Sequence, residues 1–122
     1  MQPTKEEFEE QLSLLRRKEI LIIVEGKKDL AALDKLGFPD SSIITLEGPL
    51  YQTVELIASK ARRVAILTDL DPEGKKLYSS LKRDLSQFGV QIDDTFREFL
   101  FRKTKLRQIE GMDSYIEKLG KD

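Results

Sequence analysis

The chain has 122 residues, 39% of them hydrophobic and 35% charged, which is enough apolar content for one packed core and too little length for a second domain of ordinary size. Its 21 basic and 22 acidic residues nearly cancel, so no overall positive field recruits nucleic acid, and any such binding has to come from local patches or a metal. Cysteine and histidine are both absent, which excludes disulfides, thiolate metal sites, cysteine nucleophiles, imidazole bases and Ser-His-Asp arrangements, and leaves carboxylates, lysines, hydroxyls and hard metals to carry any chemistry.

In chain order, Thr4 followed by Glu7 has the pattern of a capping box opening a helix, with Pro3 just outside it. Phe8, Leu12 and Leu15 recur at helical spacing, so this helix lays one apolar stripe on the domain. Its outer face runs from acidic (Glu6, Glu7, Glu9, Glu10) to basic (Arg16, Arg17, Lys18), in step with the helix dipole. Residues 1–10 are polar and acidic, unlike a signal peptide, and no apolar run approaches the ~20 residues of a membrane helix. The expectation is a cytoplasmic protein with no membrane partner.

Residues 20–24 (Ile-Leu-Ile-Ile-Val) form an unbroken apolar run, the pattern of a strand buried on both faces in a parallel sheet. It ends at Glu25-Gly26. A helix follows, with Leu30, Ala31, Leu33 and Leu36 apolar and Gly37 and Pro39 stopping it. Residues 42–46 predict a second strand, and residues 51–60 a helix carrying Val54, Ile57 and Ala58. Residues 64–68 predict a third strand running into Asp69, and residues 72–88 a long helix with Leu77, Leu81 and Leu85 inward and Gly89 closing it. Residues 90–92 complete a fourth strand. This alternation predicts an α/β fold with right-handed crossovers, in which ligands bind at the carboxyl ends of the strands. In the tail, Phe96, Phe99 and Leu100 predict one more helix and residues 112–119 a last one, with no signal for how they pack. The expected organisation is a helix over residues 1–18, a core over 19–95 and a helical extension over 96–122.

Two apolar strands thus end in acid, one in Glu25 and the other in Asp69-Leu70-Asp71. If these strands are neighbours, the three carboxylates meet at one sheet edge, where like charges disfavour joint ionisation and a divalent cation relieves them. Magnesium takes oxygen ligands and keeps several waters, so two or three carboxylates suffice. Asp69 and Asp71, two apart in an extended segment, face the same side. Gly26 and Gly74 lie at the helix starts that follow, where backbone approaches a ligand closely and free N–H groups suit phosphate; Lys27 and Lys75, next in sequence, add positive charge. The plainer alternatives are a helix N-cap with a turn aspartate for Asp69 and Asp71, a dipole-stabilising residue for Glu25, and an ion pair with a lysine of its own helix for Asp29. Arg102, Lys103, Lys105 and Arg107, beside Phe99 and Phe101, read either as a solvated helical end or as a track for a phosphate backbone, with base stacking on Phe101.

Val-Glu-Gly-Lys-Lys-Asp (24–29) and Leu-Thr-Asp-Leu-Asp-Pro-Glu-Gly (67–74) resemble the two signature segments of the Toprim domain, shared by topoisomerases, bacterial-type primases, recombination proteins, nucleases and ribonucleases that mature ribosomal RNA. Gly48 matches a further family position. The resemblance covers roughly residues 19–95 and implies a Rossmann-like fold with a central four-stranded, mostly parallel sheet. It implies that Asp69 and Asp71 hold Mg²⁺, as one or two ions with Mn²⁺ able to substitute, and that Glu25 is a metal ligand or a general acid/base.

Topoisomerase chemistry needs a tyrosine nucleophile on another domain, and primase chemistry needs template- and nucleotide-handling regions; a chain of this length holds neither. Hydrolysis by water asks least of the protein, so a small metal-dependent nuclease acting on nucleic acid, RNA rather than DNA, is the leading expectation. The alternative is a non-catalytic Mg²⁺- and nucleic-acid-binding module with a protein partner. A phosphatase using Asp-x-Asp as nucleophile places that motif after its first strand and follows it with Gly-Thr, whereas here it follows the third strand and precedes Pro72-Glu73-Gly74.

Overall fold

The computed structural model describes residues 2–120. Its helices and strands alternate as α1 (Lys5–Lys18), β1 (Leu21–Val24), α2 (Lys27–Lys35), β2 (Ile43–Thr45), α3 (Leu50–Lys60), β3 (Arg63–Ile66), α4 (Pro72–Gln87), β4 (Gln91–Ile92), α5 (Thr95–Lys103) and α6 (Met112–Leu119). The strands form one sheet of order β2-β1-β3-β4, and all three pairings are parallel. The expected "mostly parallel" sheet is therefore parallel throughout. Ile20, Ser42, Leu46, Leu67, Thr68 and Val90 fall just outside their strands, and the helices begin or end within a residue or so of the sequence expectation.

The β-branched runs feed both faces of the sheet, as a double-sided burial requires. Ile22, Val24, Ala65 and Leu67 point to one face, where they pack with Phe8, Leu12 and Leu15 of α1, Leu33 of α2, Leu100 of α5 and Met112 of α6. Ile23, Val64 and Ile66 point to the other, against Val54 and Ile57 of α3 and Leu81 and Leu85 of α4. The result is a helix–sheet–helix sandwich. The capping box opens α1 as expected, with the Thr4 hydroxyl accepting from the Glu7 amide at 3.1 Å and the Glu7 carboxylate accepting from the Thr4 amide at 2.9 Å.

The tail is integral to this packing. Phe8 meets Phe96 and Phe99 edge-on, at centroid separations of 6.1 and 5.2 Å, which joins α1 to α5 beneath the sheet. The next segment, residues 104–111, then runs back across the carboxyl edge of the strands. There the Leu70 amide donates to the Arg107 carbonyl at 2.8 Å.

Candidate metal centre

Because β1 and β3 are adjacent, with Leu21 opposite Val64 and Ile23 opposite Ile66, their ends deliver Glu25 and Asp69 to the same place. The contact is direct: the Asp69 amide donates to Glu25 Oε2 at 2.7 Å. Asp69 Oδ1 in turn accepts from the Ile109 amide at 2.9 Å, and Asp71 Oδ1 accepts from the Gly74 amide at 2.8 Å. Asp71 is thus the N-cap of α4, with Pro72 in the first turn, so the plain capping role and the position at the acidic edge belong to one residue. Asp29 is buried and closes a capping box on the Gly26 amide at 3.1 Å. The expected pairing of Asp29 with a lysine of its helix is replaced by this cap, because burial leaves the carboxylate a backbone donor and no mobile ammonium.

Backbone around Asp69 is held from three sides. Arg97, buried on α5, donates from Nη1 to the carbonyls of Ile66 (3.2 Å) and Thr68 (2.6 Å), and from Nη2 to that of Asp69 (3.1 Å). Its guanidinium also lies 4.5 Å from the Tyr78 ring centroid. On the α4 side, a Cβ added to Gly74 would overlap the Asp69 carbonyl, and Thr68 Oγ1 donates to the Gly74 carbonyl at 2.7 Å. Gly74 therefore admits the chain's own backbone. Gly26 differs: a Cβ there would meet nothing within 4 Å. Lys27 is exposed beside it, while Lys75 turns its ammonium onto Phe101, 4.6 Å from the ring centroid. Arg97 and the Ile109 amide are the participants that sequence reading passed over. For Arg97 the available signal was its spacing of three and seven from Leu100 and Thr104, which puts it on the buried face of α5.

Burial raises the Glu25 carboxyl above its ordinary range; the Asp69 amide opposes this, and the charges of Asp69, Asp29 and Asp71 add to it. Burial likewise raises Asp69, against the Ile109 amide and with the charges of Asp71 and Glu110, and it raises Asp29 against the Gly26 amide. Burial lowers Arg97, against the neighbouring charges that favour its cationic form. Five acids, Glu25, Asp29, Asp69, Asp71 and Glu110, thus share one edge and one field. The chemistry of this donor set fits a hard cation: every candidate ligand is a carboxylate, and Glu25, Asp69 and Asp71 each keep one oxygen outside any hydrogen bond among the described residues. As the side chains stand, each of the three has turned its other oxygen onto a backbone amide, and no group of three acids among the described residues closes on a single point.

The Toprim domain model matches residues 20–97. A UPF0292 protein of Pyrococcus horikoshii is 40% identical over 109 residues, covering 88% of this chain and 82% of the relative. One from Methanocaldococcus jannaschii is 33% identical, covering 80% and 78%. A solved structure of a protein from Aquifex aeolicus superposes with a TM-score of 0.74 at 33% identity, covering 83% of this chain and 94% of that one. Toprim domains are metal-binding and associated with nucleic acid, and among the described residues no helix is long and apolar enough to cross a membrane. The chain belongs to the Toprim family and, within it, to the UPF0292 proteins.

Proposed function

We propose that this protein is a small Mg²⁺-dependent nuclease, acting on RNA in preference to DNA. The observation that carries the reading is the hydrogen bond from the Asp69 amide to Glu25, which brings the acids of both signature segments to one edge of the sheet. Asp69 and Asp71 hold the metal through their free oxygens, with Glu25 beside them. When bound, Mg²⁺ supplies neutralisation of the phosphate charge and orientation of the attack. Glu25 either joins the metal shell or moves a proton at the attacking water. Lys27, exposed beside Gly26 at the start of α2, offers positive charge to a phosphate, and Lys75 adds a second ammonium from the start of α4. RNA is favoured because the first segment, with Lys27 and Asp29, resembles that of many ribonuclease-like members of the family.

A second reading is favoured by a different observation: all three acids are tied to backbone amides and converge on no common point. On that reading the protein is a non-catalytic Mg²⁺- and nucleic-acid-binding module that serves as a subunit of a larger complex. Cleavage of structured RNA, single-stranded DNA and duplex DNA with Mg²⁺ or Mn²⁺, for the wild type and Asp69→Asn, separates the two. Cleavage by the wild type alone supports the nuclease. Mg²⁺ binding without cleavage of any substrate supports the subunit.

A further inference from the structure

The basic residues that stand together at 102–107 in the sequence part company in the structure. Arg102 pairs with Glu98 one turn back, at 2.8 Å, and the neighbouring Phe99 turns into the core against Phe8. Lys105 and Arg107 instead join Lys118 of α6, and with Gln108, Ser114 and Asp71 they line an open cavity of about 510 Å³. Lys105 and Lys118 make no ion pair among the described residues. The Asp71 wall makes this cavity continuous with the acidic edge.

Beside Arg107 stands Phe101, 44% exposed. Lys75 Nζ lies 4.6 Å and Arg107 Cζ 5.3 Å from its ring centroid, so two cations from separate segments converge on one solvent-facing aromatic. Cations beside an exposed ring complement a unit that carries an anion and a flat π-face together. A nucleotide is such a unit, and an unpaired base is required, since a duplex presents phosphates and keeps its base faces stacked. An acidic peptide would match the cations and make no use of the part of the ring that stays exposed.

We propose that the cavity beside Asp71 and the Phe101 ring form one path for an unpaired stretch of nucleic acid. Lys105, Arg107 and Lys118 hold its phosphates in the cavity, and Phe101 stacks a base just outside. The proposal rests on the reading of the acidic edge as a phosphodiester site, because the path leads the backbone past Asp71. Arg107 Nη1 also donates to the carbonyls of Thr104 and Leu106, at 3.1 and 2.8 Å, so it braces its own segment and the informative substitutions lie at Phe101 and Lys105.

The test is fluorescence anisotropy of the full chain with labelled oligouridylate, oligothymidylate and a duplex of equal length, first in EDTA and then in Mg²⁺. The wild type is expected to prefer single strands, and the two single-stranded probes distinguish RNA from DNA as the source of the ligand. Phe101→Ala should weaken single-strand binding about tenfold and leave duplex binding unchanged, with Phe101→Trp restoring it. Lys105→Ala should reduce the slope of log affinity against log salt by about one. Wild-type affinity in Phe101→Ala, preference for the duplex, or displacement by polyglutamate as effective as by oligonucleotide would each overturn the path. Failure of this idea and of the nuclease remain separable. Binding through these residues without cleavage in Mg²⁺ keeps the path and removes the nuclease. Asp69-dependent cleavage that survives both Phe101→Ala and Lys105→Ala removes the path and keeps the nuclease.

Discussion

After β1 the backbone that follows Glu25 has room around it: Gly26 is extended, at φ −152°, and a side chain there would meet nothing within 4 Å. After β3 the neighbouring strand end is enclosed. Arg97 grips three carbonyls from behind, Ile109 donates to the Asp69 side chain from across the edge, and Gly74 sits hard against the Asp69 carbonyl. Two segments with the same logic, an acid following a buried strand, are therefore supported in opposite ways. The first has space beside its backbone, while the second is packed and braced by residues that lie up to 40 positions away.

Gly74→Ala tests the enclosed end most severely. Its Cβ has backbone to displace, so a loss of about 3 kcal/mol or more is expected in urea unfolding. A near-neutral result would mean that the loop is far more compliant than its contacts imply. Arg97→Met comes next. It keeps most of the packing but strips the donor from three buried carbonyls, and about 3 kcal/mol should be lost.

Asp93 sharpens the comparison from outside the site, as a carboxylate whose job is structural. Burial raises it, but the Lys18 ammonium at 2.9 Å and the amide and hydroxyl of Thr95 outweigh burial and hold its pKa at about 2, against 3.8 for a free side chain. Arg63 pairs with the same oxygen. A depressed pKa means that this stabilisation is complete above pH 3.8 and is lost as the pH falls towards 2. Asp93→Asn should therefore cost about 2 kcal/mol at neutral pH, less where Lys18 and Arg63 are screened by solvent, and the gap from wild type should close in acid. A gap independent of pH would point to lost packing rather than lost charge.

Asp69→Asn keeps the oxygen that accepts from Ile109, so the fold should persist while Mg²⁺ affinity by calorimetry drops about tenfold or more; relief of repulsion leaves stability unchanged or slightly higher. Full retention of affinity would remove Asp69 from the metal shell. Smallest of all, Gly26→Ala should alter stability by less than about 0.5 kcal/mol, because neither space nor backbone conformation demands glycine there. A cost comparable with that of Gly74→Ala would erase the distinction between the two strand ends.

What could be read in advance follows the same division. The strands announce themselves because burial on two faces demands uninterrupted apolar side chains, and the acids stand out because they end those runs. Asp71 and Pro72 likewise carry a local, sequence-contiguous signal. Arg97 carries only a weak one: its spacing from Leu100 and Thr104 puts it on the inward face of α5, but a charge there is explained only by the carbonyls of a distant strand end. Residues 104–111 have no long repeat period, so nothing local foretells that their backbone would cross the sheet edge and donate to Asp69. Asp29 is hard to read for a related reason. Its partner is an amide three residues back rather than a charged side chain, and capping by carboxylates at that position is visible only when the helix start is placed at Lys27.

Two backbone protons, those of Asp69 and Ile109, each sit directly on an oxygen of the acidic edge. Any ligand that draws electron density from Glu25 or Asp69 must weaken those two bonds, so the amides become built-in spectroscopic probes. Their ¹H and ¹⁵N resonances should move together as a divalent ion is added, ahead of the bulk of the spectrum. They would report occupancy at a site whose own side chains carry no chromophore, in an unmodified chain and without any substrate in hand.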